Sequence, residues 1–181
     1  MELRSHDVVL ENDKLRLRPM TEDDWIFLLG WNNDPDVLYI VEGGDIDSYS
    51  LSQVQKIYRT VSQTAYCFII EYEGREIGEC WLQKMNNSQL KEEYWDLDNR
   101  RIALMIGEKD LWGQGIGGEV IELLTNFAVS AKGCDQVFAL IPDHNHASVR
   151  AFEKSGYVFD QKIEDDDDSK ASYTLFYVFA K

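Results

Sequence analysis

The chain has 181 residues, 44% of them hydrophobic and 12% aromatic, which suits one folded domain over residues 1–181 rather than a disordered segment. Its formal net charge of −15 repels phosphate backbones, which argues against nucleic acid and for a small cationic amine or a basic peptide terminus; acidity that serves only solubility is the alternative. No stretch approaches the roughly 20 apolar residues that span a bilayer, and Met1 to Asp7 lacks a signal-peptide pattern, so a cytoplasmic protein without membrane contact is expected.

Lys14 to Pro19 alternates charged and apolar residues and predicts a half-buried strand. Thr21-Glu-Asp-Asp24 starts a helix that carries Trp25, Leu28 and Trp31 and breaks near Asn32 to Pro35. A short piece around Val37 to Val41 leads into a Gly43-Gly44 turn. Ser50 then opens a second helix to about Ser62, with Leu51, Val54, Ile57, Tyr58 and Val61 at helical spacing. Ala65 to Tyr72 and Glu76 to Met85 flank Glu73-Gly74 as a β-hairpin. Asn86 to Asn99 reads as a loop, and Arg101 to Gly107 as a buried strand. A glycine loop follows, then a helix from Gly118 to about Lys132 that Gly133 ends in the left-handed conformation. Gln136 to Ile141 is a strand and Ala147 to Lys154 a helix. Tyr157 to Lys162 and Ser172 to Ala180 form a closing strand pair around the acidic run Glu164 to Asp168. This order predicts an α/β fold with a central mixed sheet and helices on both faces. Cys67, Cys80 and Cys134 are scattered, two of them in apolar runs, and the histidines do not join them, so no metal site is expected.

The informative segment is Trp112-Gly-Gln-Gly-Ile-Gly-Gly118, between a strand and a helix. Glycines at 113, 115, 117 and 118 let the backbone approach a ligand and turn successive N–H groups inward. The following helix adds its free N–H groups and the positive end of its dipole, so a pyrophosphate is the natural guest. No Gly-Lys-Ser/Thr follows, which excludes a nucleotide P-loop. The loop comes after the fourth strand with no acidic residue ending the next one, which excludes a dinucleotide fingerprint.

Trp112 to Gly117 after Met105-Ile-Gly-Glu108 resembles the acetyl-CoA loop of the GNAT acetyltransferase superfamily. Asn145-His-Ala-Ser148 followed by Phe152-Glu-Lys-Ser-Gly156-Tyr157 resembles its second signature. With Leu15 to Pro19 the resemblance spans nearly the whole chain. It implies the GNAT fold, with a mostly antiparallel sheet, and acetyl-CoA as co-substrate. It implies that the backbone of Met105, Ile106 and Gly107 pairs with the pantetheine arm. Gly113, Gln114, Gly115, Gly117 and Gly118 then cradle the pyrophosphate, with Trp112 and Ile116 in the same loop. Asn145 hydrogen-bonds the lower arm or simply caps its helix, and Ser148 and Phe152 border the thiol end.

The resemblance also implies direct transfer to a neutral amine, with a proton taken from the ammonium, a donor for the oxyanion, and a proton given to the thiolate. The stretch from Val37 to Trp81 looks like that of aminoglycoside 6′-N-acetyltransferases. Tyr39, Glu42, Asp45, Trp81 and Ala103 are therefore the expected acceptor residues, and Glu42, Asp45, Glu79 and the Asp165–Asp168 run suit a polycationic sugar. Those enzymes commonly have Asp where this chain has Ala103, and many GNAT enzymes have a tyrosine acid where it has Phe152. Three explanations compete: Glu79, the expected base, serves through water, positioning alone suffices for an amine of low pKa, or the chain is catalytically impaired; Tyr157 is the candidate proton donor or else a core residue. Acetylation of a protein N-terminus or a polyamine, and a CoA-binding module without turnover, are the other readings. The oligomeric expectation is a monomer or a homodimer.

Overall fold

The computed structural model describes residues 1–43, 48–164 and 173–180. Its strands form one eight-stranded sheet in the order β1 (Leu10–Glu11), β2 (Leu15–Pro19), β3 (Ala65–Tyr72), β4 (Arg75–Lys84), β5 (Asn99–Ile106), β6 (Gln136–Pro142), β8 (Tyr173–Ala180), β7 (Val158–Glu164). Every neighbouring pair is antiparallel except β5 and β6.

One face of the sheet packs against α5 (Ile116–Asn126) and α6 (His146–Lys154) through Cys80, Leu82, Ile102, Val120, Ile121, Leu124 and Phe152. The other face carries α1 (Trp25–Trp31), α2 (Pro35–Glu42) and α3 (Leu51–Ser62) over Cys67, Ile69 and Met105. Farther along this face, Leu90 of α4 (Ser88–Glu93) packs with Phe138 and Phe176. Helices thus cover both faces of the mixed sheet, as the order of elements predicts.

The caps explain most helix starts. Ser50 and Gln53 form a reciprocal capping box on α3. Asp34 accepts from the N–H groups of Asp36 and Val37 ahead of Pro35, which makes Val37 to Val41 part of a full helix. The same device, Asn87 accepting from Leu90, makes a helix inside the segment expected to be a loop. The helix after the glycine loop begins at Ile116 rather than Gly118 and passes through a π-helical turn at Phe127–Ala131. In the hairpin turn Glu73 and Gly74 both take positive φ (50° and 82°), which fits the twist of the strands they join.

Two irregularities shape the centre of the sheet. The β3–β4 register shifts so that Ile70 faces Gly78 while Glu71 faces Glu76, leaving Ile77 as a bulged residue. The bulge turns Ile77 to the Cys80 and Leu82 side and leaves Glu79 and Trp81 on the opposite face. The parallel pairing of β5 and β6 runs only from Asn99–Arg101 against Gln136–Phe138. Beyond Ile102 and Ala139 the two strands part, and the gap holds the site.

Candidate active site

A cleft with a volume of about 510 Å³ opens beside β5, beyond its pairing with β6. Its walls are Leu104, Met105 and Ile106 of β5, the loop from Leu111 to Gly115, the first turns of α5 and α6, and Val37, Ile40 and Val41 of α2. Each loop contact has an identifiable cause. Trp112 donates its indole N–H to the Ile106 carbonyl (2.8 Å), and Gln114 folds its side chain back to the Asp110 carbonyl (2.9 Å). Lys109 reaches Asp34 (2.9 Å) and Asp36 (2.7 Å), tying the loop to the start of α2, while Arg75 binds Glu108 and Asp110 from the hairpin. Gly107 lies against Trp31, so closely that a Cβ there would sit 2.2 Å from the indole ring.

Gly113 and Gly115 both hold positive φ (77° and 88°), a conformation that L side chains resist. Gly115 is the N-cap of α5. The N–H groups of Gly113, Gln114, Gly115, Ile116 and Gly117 donate to no backbone or side-chain acceptor among the described residues. A row of free donors at a helix start is an anion site. Arg150 and Lys154 of α6 also line the cleft, and neither has an ion-pair partner among the described residues. They supply positive charge in an otherwise acidic chain. Their spacing of four residues on one helix face was readable, but nothing in the sequence marked that face as the cleft wall. The residues present therefore fit a long anionic ligand with a pyrophosphate, such as acetyl-CoA. Replacing both Arg150 and Lys154 with alanine is expected to raise the KM for acetyl-CoA about 10-fold, with little change in kcat, in a thiol-release assay at fixed amine.

The second signature lies where the cleft needs it, with an internal division. Asn145 caps α6 by accepting from the Ser148 N–H (3.0 Å), which leaves its Nδ2 donor uncommitted among the described residues. Asn145 and Ser148 line the cleft. Phe152, expected at the thiol end, instead points into the core, 2% exposed, with its ring 5.0 Å from that of Tyr157. Tyr157 is equally enclosed and shares a 2.7 Å hydrogen bond with Thr125. Burial drives its hydroxyl well above the usual tyrosine value. A phenol so held has no path to a thiolate in the cleft, so the core reading of Tyr157 is the one the geometry favours.

The acceptor residues divide likewise. Tyr39 is 63% exposed and its ring faces His144, while its neighbours Ile40 and Val41 line the cleft, because α2 turns those positions inward. His144 also meets the Ile40 carbonyl (3.3 Å), so α2 spans from β5 to the β6–α6 connection. Asp45 and the Asp165–Asp168 run lie outside the described residues, as does the side chain of Glu42. Trp81 and Ala103 are register partners on β4 and β5, on the face opposite α5.

Glu79 sits one step from them, level with Met105, and is 4% exposed. Burial raises its carboxyl to about 8, against a smaller opposing pull from the Tyr58 hydroxyl, which in turn accepts from Asn32 (2.9 Å). Its Oε2 has no hydrogen-bond partner among the described residues. Glu79 lines no cleft itself, but its register partner Met105 does, and a buried carboxyl with an uncommitted oxygen there is a candidate for proton transfer. The thiols are not: burial pushes Cys67 up to about 12 and Cys80 well above its usual value.

Comparison with known proteins gives the same picture. A sequence profile for the acetyltransferase (GNAT) domain matches residues 14–158. Protein MJ1062 of Methanocaldococcus jannaschii is 24% identical over 147 residues, 81% of this chain and 28% of that protein, so the chain spans under a third of that relative. Among solved structures, the aminoglycoside acetyltransferase AAC(6')-Ib with paromomycin and acetyl-CoA superposes with a TM-score of 0.80 at 20% identity, over 93% of this chain and 94% of that one. Spermidine N-acetyltransferase from Vibrio cholerae, with CoA and spermine, gives 0.71 at 15% identity over 93% and 96%. At such identities the likeness establishes a shared fold.

Proposed function

The chain belongs to the acetyltransferase (GNAT) family, whose donor is acetyl-CoA, and from that premise we propose that it N-acetylates a small primary amine held on the sheet face of Glu79, Trp81 and Ala103. The observation that carries this reading is Glu79, a buried carboxyl with an oxygen that has no partner among the described residues, level with Met105 of the cleft wall. Acetyl-CoA supplies the activated acetyl group. The free N–H groups of Gly113 to Gly117, with Arg150 and Lys154, hold its phosphates. Glu79 takes the ammonium proton, directly or through a water. Backbone N–H groups of β5 beyond Ile102 have lost β6 as a partner and are available to polarise the acetyl carbonyl.

The 6′-amine of an aminoglycoside is the first acceptor to assay, supported by the net charge of −15 and by the AAC(6')-Ib likeness. Polyamines and protein N-termini are the alternatives. Thiol release from acetyl-CoA is expected with at least one amine from a panel of kanamycin, spermidine, N-terminal Ala and Ser peptides and free amino acids. Acetyl-CoA binding without thiol release for any amine would leave the non-catalytic module as the better reading.

A further inference from the structure

Arg101 is the anomaly of the acceptor face. Its register with Gln83, and that of Ala103 with Trp81 and Met105 with Glu79, puts Arg101, Trp81 and Glu79 on one side of the sheet. The acids of this chain outnumber its bases by 33 to 18, so a guanidinium without an anion needs a reason. Arg16, Arg18, Arg59, Arg75 and Arg100 each meet a carboxylate, and Arg4 meets a backbone carbonyl. Among the described residues only Arg101 and Arg150 meet neither, and Arg150 lines the cofactor cleft. The Nε of Arg101 is enclosed and has no hydrogen-bond partner among the described residues. Burial alone lowers its value, to about 10, with no neighbouring charge contributing, so it remains a cation at neutral pH.

A second orphan donor belongs to its diagonal neighbour on β4. The indole Nε1 of Trp81 is also enclosed and without a partner among the described residues. Trp81 faces Ala103, and Arg101 is two residues along β5 from Ala103, about 7 Å at the usual rise of a strand. Ala103, the smallest side chain of the row, thus stands opposite one residue with an orphan donor and two positions from the other. Buried N–H groups are rarely left unpaired, and two on neighbouring residues of one sheet face point to an oxygen-bearing guest. Glu79 lies two residues from Trp81 on β4, again about 7 Å, on the side away from Arg101.

On the proposed acetyl-transfer reading, we infer that Arg101 and the Trp81 indole form a carboxylate subsite, and that the acceptor is a primary amine that also carries a carboxylate, an amino-acid-like zwitterion with its ammonium toward Glu79. The overall charge suggests a polycation, but a polycation would leave Arg101 facing like charge with its desolvation uncompensated. A carboxylate accepts from the guanidinium fork and from the indole N–H together.

The test is acetyl transfer by the whole chain to free amino acids, to the same amino acids as carboxamides, and to kanamycin and spermidine. The expected result is a kcat/KM about 10- to 100-fold higher for at least one amino acid than for its carboxamide. Arg101→Met is expected to bring that ratio close to one, mainly through KM, and Arg101→Lys to restore part of it. Trp81→Phe keeps the ring and removes the N–H, and is expected to reduce the ratio by a smaller factor. Equal rates for acid and amide, or turnover confined to kanamycin or spermidine, overturn the carboxylate subsite and leave the acetyltransferase reading standing. Absence of turnover with every amine overturns the acetyltransferase reading itself. Calorimetric titration of amino acid and amide into the CoA-bound protein then decides the subsite separately: equal affinities overturn it.

Discussion

Glu79→Gln is expected to lower kcat by about 10²- to 10³-fold while leaving the KM for acetyl-CoA unchanged. The glutamine keeps the shape of the side chain and loses the proton acceptor, so the loss reports proton transfer rather than packing. Because burial holds the Glu79 carboxyl at about 8, the wild-type rate should climb with pH to a plateau above that value. The variant should lose that limb. Fold stability should move in the opposite direction. Folded Glu79 holds its proton to about 8, whereas the unfolded carboxyl releases it near 4.5. At this group the folded state therefore binds more protons between those values, and the contribution of Glu79 to stability is highest below pH 4.5. That contribution falls by on the order of 5 kcal/mol as pH rises through 8, at about 1.4 kcal/mol for each tenfold change in proton affinity. Urea denaturation at pH 5 and pH 8.5 checks this, with the variant losing most of the difference. A variant with undiminished kcat and an unchanged pH limb would remove Glu79 from the chemistry.

Gly78→Ala is expected to weaken the fold by about 3 kcal/mol, as overpacking does in a closed core. A Cβ at this position would lie 2.1 Å from the Met105 carbonyl oxygen and 3.0 Å from the Ile106 Cα. Both are backbone atoms of the neighbouring strand, so no side chain can swing aside; β4 must move away from β5. That motion separates Glu79 from Met105 and the parted end of β5. A drop in kcat of about 100-fold should accompany the loss of stability, since small displacements of reacting groups carry penalties of that order. Gly30→Ala is the matched control. Nothing lies within 4 Å of a Cβ there, the position is in α1, and the change is expected to stabilise by up to about 1 kcal/mol. Urea midpoints for the two variants and wild type, with thiol release at saturating acetyl-CoA, measure both effects. An unaltered midpoint for Gly78→Ala would contradict the close β4–β5 approach.

The segments that were misread share a cause. Asn87 and Asp34 are short polar residues that serve equally as turn formers and as helix caps. In Asn86–Asn99 and Val37–Val41 the cap decided, and in the second it raised one wall of the cleft. Phe152 packs in the core against Tyr157, which lies beyond the end of α6, while Ser148 and Ala151, nearer the start of the helix, meet the cleft.

What the sequence alone determined is the donor half of the protein. The glycine loop, the helix behind it and the Asn145 signature are contiguous, and their chemistry depends on backbone conformation that glycine spacing and order declare directly. The acceptor half was decided by tertiary structure. Glu79 and Trp81 reach Ala103 and Arg101 only through the register of β4 on β5, and the Ile77 bulge selects the face they share. Whether Glu79 is desolvated and whether Arg101 has an anion depend on distant residues that pack above that face. Such properties belong to neighbours in space, and no spacing along the chain carries them.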